Sequence, residues 1–76
     1  MEIKDFIEKF ADAIEAENPE MIDAETDFHD LEEWSSLTAL SVIAMIDEEY
    51  DIIIKGDDIR NSVTVEDLFN AVKAKA

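Results

Sequence analysis

The sequence predicts an all-α fold, a small antiparallel bundle of three to four helices with a long first loop. Apolar residues recur at helical spacing in separate stretches of the chain. Glycine and proline occur once each, too few to punctuate an all-β chain. The one strand-like run, Ile52-Ile53-Ile54, has no second run to pair with. With 47% hydrophobic residues among 76, the chain has enough apolar mass for one modest core, and a single domain over residues 1–76 is expected.

The first helix is expected from about residue 2 to about residue 16, where Ile3, Phe6, Ile7, Phe10 and Ile14 share one face. Asn18-Pro19 is expected to end it, because the residue before proline is pushed out of the helical region. Residues 17 to about 34 have no sustained period. Met21, Ile22, Phe28, Leu31 and Trp34 are scattered among acids there, as anchors would be that pin a long loop to the core. A loop of this length in a small domain is often functional, and it has room for a short helical turn.

Ser35-Ser36 then offers an N-cap pair, and the pattern is helical to Tyr50. Ala39, Val42, Ile43, Ile46 and Tyr50 form its core face, and Thr38, Ser41, Met45 and Glu48 a mixed one. Between them runs the stripe Leu37, Leu40, Ala44, Asp47, Asp51, apolar at its start and acidic further on. Exposed, such a stripe is a docking surface; on a helix buried on most sides it is simply packing. The three isoleucines that follow are expected to form an extended link that plugs the bundle. Residues 56–61 hold one short turn with Ile59 inward. Thr64-Val65-Glu66-Asp67 resembles a capped helix start, continued by Leu68, Phe69 and Val72, with Lys73 and Lys75 near the helix C-terminus, where cations are favoured.

Charge narrows the function. Twenty-one acidic residues face six basic ones, for a formal net charge of −15, and no run of like charges reaches five. An acidic surface of this kind repels nucleic acid and anionic lipid and attracts proteins with basic patches. Without cysteine there is no disulfide and no protein thiol to carry an intermediate. No basic segment precedes a long apolar run, and the longest fully apolar stretch is Val42 to Ile46. A cytoplasmic protein without membrane insertion is therefore expected, and a monomer.

Catalysis has little to stand on. His29 is the only histidine, in an irregular acidic stretch, and is expected to be a solvated side chain. No arrangement specifies a base for a serine nucleophile, and Gly56 alone makes no phosphate loop. Asp23, Glu25, Asp27 and His29 alternate like calcium ligands. Counted from Asp23, however, the positions that need glycine and glutamate hold Phe28 and Trp34, so no metal site is expected. Ser36 stands at the first turn of the striped helix, where free amides and the helix dipole favour an anion. Read in isolation, such a serine is more often a cap.

Trp34-Ser35-Ser36-Leu37, followed by Leu40, Ile43, Ile46 and then Asp47-Glu48-Glu49-Tyr50-Asp51, resembles the signature region of acyl carrier proteins. The likeness continues through Ile54, Asp57-Asp58 and Val63-Thr64-Val65, and with the first helix and long loop ahead it covers nearly the whole chain. The resemblance implies that Ser36 receives a 4′-phosphopantetheine arm, whose thiol holds an acyl group as a thioester. It implies a docking surface of Leu37, Leu40 and Ala44 with an acidic part at Asp47 and Glu48. The implied partners are a phosphopantetheinyl transferase and acyl-transferring or acyl-modifying enzymes with basic patches, as in fatty acid or polyketide biosynthesis. Ser35 stands where the family usually has aspartate, and Ser36 is preferred because Leu37 follows it. An aminoacyl or peptidyl carrier is the alternative within the same chemistry. An unmodified acidic interaction module, with Ser36 only a cap, is the alternative outside it.

Overall fold

A computed structural model describes residues 2–76. Helix α1 spans Ile3–Ala13 and buries Phe6, Phe10 and Ala11, with Ile14 buried just past its end. It stops before the expected point, and the asparagine-proline pair is not what stops it. Glu15 takes a left-handed backbone (φ 53°). The amide of Ala16 then reaches back to the Ala11 carbonyl (3.0 Å) and that of Glu15 to the Asp12 carbonyl (3.1 Å). This paired closure satisfies carbonyls that the helix end would leave free.

The long connection contains two short 3₁₀ turns, Pro19–Met21 and Phe28–Asp30. Ile22 and Phe28 are buried, and Leu31 and Trp34 are half-buried against the core. Met21 departs from expectation: it is 73% exposed and anchors nothing. The loop is also tied by its backbone. The amides of Val65 and Glu66 donate to the carbonyls of Thr26 and Ala24 (3.1 and 2.9 Å), beside a bridge between Asp27 and Thr64. The carboxylates of Asp23 and Asp27 are used locally, accepting from the amides of Glu25 and His29.

Helix α2 spans Ser36–Tyr50, α3 Gly56–Arg60 and α4 Val65–Ala74. In α2, Val42 and Ile46 are fully buried, while Ala39, Ile43 and Tyr50 pack against the core from partly buried positions. Asp51 ends α2 in a left-handed conformation (φ 56°). Ile52 and Ile54 then point into the core, whereas Ile53 between them is 71% exposed, as an extended link with alternating sides requires. Ile59 of α3 is buried, and so are Val65, Leu68, Phe69 and Val72 of α4.

Helix α1 packs on both α2 and α4, and α3 on α4. Aromatic rings cross the middle of the molecule. Phe69 meets Phe6 edge-on (5.5 Å between centroids), and Phe10 meets Phe28 edge-on (5.5 Å) and stacks on Trp34 (6.1 Å). Through Trp34 this row fixes the segment that leads into α2. No helix among the described residues is long and apolar enough to cross a membrane.

Candidate carrier site at the start of helix α2

Two adjacent serines open α2, and the backbone gives them different work. Ser35 is the N-cap: its hydroxyl accepts from the Thr38 amide (3.2 Å), while the Thr38 hydroxyl accepts from the Ser35 amide (2.8 Å). The Thr38 hydroxyl in turn donates to the Glu33 carbonyl (3.0 Å). Glu33 is tied as well, its carboxylate accepting from the Glu17 amide (2.9 Å), which with its own amide holds the Glu33 carboxyl below the usual range. The Ser35 hydroxyl is thus built into a network that begins in the loop after α1.

Ser36 is the first residue of α2, exposed, and its hydroxyl makes no hydrogen bond among the described residues. The Thr38 and Ala39 amides are taken by the Ser35 hydroxyl and carbonyl. Those of Ser36 and Leu37 have no partner among the described residues, as the first amides of a helix do not. An anion bound to the Ser36 oxygen would meet those free amides and the positive end of the α2 dipole.

The stripe beside it is a surface. Leu37 is 75% exposed and Leu40 62%, and Ala44, Asp47 and Glu48 are exposed further along the helix. All five residues expected at a docking face therefore reach solvent on the helix that begins at Ser36.

Sequence reasoning missed the groove on the other side of Ser36. It has a volume of about 530 Å³, and Trp34, Ala39, Leu40, Ile43 and Ile59 supply its apolar wall. Both serines, Ser35 and Ser36, also line it, with His29, Gly56 and Arg60. His29 is exposed, as expected of a solvated side chain, but it is also tied to the fold. Its Nε2 lies 2.9 Å from the Ser62 carbonyl and 3.2 Å from that of Ile59, and its ring sits against Phe28 and Trp34 (4.3 and 5.6 Å). Both neighbours of Nε2 are carbonyl oxygens, so that nitrogen carries the hydrogen and donates. The contact joins residues 30 and 33 positions apart, and no local pattern encodes it.

The site so described is a displayed hydroxyl at a helix start, flanked by an exposed apolar stripe and a small apolar groove. Those are the features of a protein that presents a tethered group. A family model described as a phosphopantetheine attachment site matches residues 4–72, and the chain belongs to that family. Its members are carriers, not enzymes; they hold 4′-phosphopantetheine covalently, are loaded by phosphopantetheinyl transferases and visit biosynthetic enzymes. Comparison with curated proteins and with solved structures yields no significant match. The arm fits the residues present: an open hydroxyl, free amides for its phosphate, and a groove beside both.

Proposed function

We propose that Ser36 carries the phosphopantetheine arm and that the chain, as one domain, is an acyl carrier. The observation that carries this reading is the difference between the two serines: Ser35 spends its hydroxyl on the cap, while that of Ser36 is exposed and unbonded among the described residues. Loading forms the bond between Ser36 Oγ and phosphorus, breaks the pyrophosphate bond of coenzyme A, and releases adenosine 3′,5′-bisphosphate and the hydroxyl proton. Once bound, the arm supplies a thiol that holds the cargo as a thioester.

The protein's own residues orient and display. The free amides of Ser36 and Leu37 favour the phosphate charge next to the helix start. Leu37, Leu40 and Ala44 offer an apolar docking patch, and Asp47 and Glu48 extend it with charge towards a basic partner. Contacts of this kind form fast, weaken with salt and release readily, which suits a carrier that visits several enzymes. The apolar groove wall and the net charge of −15 favour an acyl cargo over an aminoacyl or peptidyl one. A cytoplasmic monomer serving fatty acid or polyketide synthesis is the corresponding setting.

Intact mass after incubation with coenzyme A, magnesium and a broad-specificity phosphopantetheinyl transferase tests the reading. Wild type and Ser35→Ala are expected to gain one phosphopantetheine, and Ser36→Ala none. A gain that survives Ser36→Ala and disappears in Ser35→Ala would move the site to the other serine.

A further inference from the structure

Charge is unevenly spread along the chain, and the serine end of α2 carries none of it. In a sequence with 36% charged residues, positions 34–46 have no charged side chain, so the first three turns of α2 are neutral. Of the acids just before them, Glu32 and Glu33 line a different cleft, with Glu15 and Glu17, and Asp30 sits back in the turn Phe28–Asp30. The first acid that follows is Asp47, about 16 Å from Ser36 along a helix that rises about 1.5 Å per residue. That is about two Debye lengths at physiological salt, so its field is largely screened at the serine.

No carboxylate lines the groove beside Ser36, and the charged side chain that does line it is a cation, Arg60. Arg60 is exposed and pairs with the Asp57 carboxylate, so the pair as a whole is neutral. A lysine or arginine that a partner brought to this serine would meet a guanidinium where it needs an acid. Leu37 and Leu40, by contrast, are large apolar side chains held in solvent within the same neutral turns. Covering them with another apolar surface releases water and leaves no charge unpaired.

We propose that the serine end of α2 fits an enzyme surface that is apolar and uncharged around the reacting serine, and that Arg60 is a specificity-determining residue that turns away enzymes with a basic residue there. The inference rests on Ser36 as the attachment residue, and the partner it concerns is the transferase that loads that serine. Leu37 and Leu40 supply the attraction and Arg60 the rejection. The acids from Asp47 onward act on whatever part of a partner reaches the far end of the helix. A net charge of −15 thus draws a basic enzyme to the molecule without guiding its cations to the serine.

Two phosphopantetheinyl transferases serve as probes, the broad-specificity one and one chosen for a basic surface beside its active site. Loading rates at limiting carrier, followed by intact mass, are taken as ratios to wild type at each salt concentration, so that the transferases' own response to salt cancels. With the basic enzyme, Arg60→Glu is expected to load about tenfold faster than wild type at low salt and Arg60→Gln to fall between, both ratios returning towards one as salt screens the charges. With the broad-specificity enzyme, Leu40→Ala is expected to load about tenfold slower than wild type at low and high salt alike, as loss of an apolar contact does. Ratios of one for both Arg60 variants at low salt, or Leu40→Ala loaded as fast as wild type, would overturn the inference while leaving the attachment site intact. No gain of mass by wild type or any variant with either enzyme would overturn both.

Discussion

Helices α2 and α4 are both rich in apolar residues, but they spend them differently. In α4, Val65, Leu68, Phe69 and Val72 are all buried, and the acids Glu66 and Asp67 occupy the first turn, where the dipole favours them. In α2, Val42 and Ile46 are buried while Leu37 and Leu40 stand in solvent. Stability accounts for every large apolar side chain of α4. It does not account for Leu37 and Leu40, and that surplus is what the proposed docking face uses.

The sharpest way to break this contrast is to truncate one leucine from each helix. Leu68→Ala is expected to cost about 2–5 kcal/mol in denaturant unfolding, because it empties a fully buried position. Leu40→Ala is expected to stay within about 0.5 kcal/mol, as surface changes do, while weakening docking to a partner enzyme. A Leu40→Ala variant as unstable as Leu68→Ala would make α2 an ordinary core helix.

The two helices begin alike, each with a reciprocal capping box, Ser35 with Thr38 and Thr64 with Asp67. Ser35→Ala and Thr64→Ala are therefore each expected to cost about 1 kcal/mol. The first should do so without preventing loading at Ser36, which separates the structural serine from the functional one.

Much of this was legible in the sequence. The buried face of α4 and Phe6, Phe10 and Ile14 of α1 followed from spacing, and the Thr64 cap from its acid three residues on. Ile3 and Ile7, however, are only partly buried, and Ala11 is buried outside the expected face. What escaped depended on distant partners or on backbone choices that side-chain pattern does not encode. Glu15 ends α1 in a conformation usually left to glycine, so the proline further on looked like the stop signal. Met21 and Ile53 are apolar yet exposed because their neighbours Ile22, Ile52 and Ile54 already fill the core on the other side of the chain. The groove needed His29 to meet α3 across the fold, and neither segment announces the other.

Glu15 offers a smaller test of the loop that leads to the site. A non-glycine residue in left-handed backbone carries strain, so Glu15→Gly is expected to stabilise the protein by about 1 kcal/mol or less. Destabilisation would mean that the Glu15 side chain contributes more than its backbone costs.

The smallest effect separates the two caps by pH. The amides of Thr64 and Val63 hold the Asp67 carboxyl below its usual range. A carboxyl lowered in the folded state stabilises above the unfolded value of about 3.9, and that contribution fades as pH falls through the folded value. Asp67→Ala should thus be less stable than wild type at pH 7, with the gap closing in acid. The Ser35 cap contains no ionisable side chain, so the cost of Ser35→Ala should be nearly constant over the same range. A gap for Asp67→Ala that is constant with pH would contradict the charged cap.

The central claim is that Ser36 is the residue the cell modifies. Fragment mass spectrometry of the protein isolated from its native cells tests it directly, by locating any added mass between Trp34 and Leu37. The account predicts phosphopantetheine on Ser36, free or bearing an acyl thioester. The same mass on Ser35, or a chain recovered entirely unmodified, would contradict it.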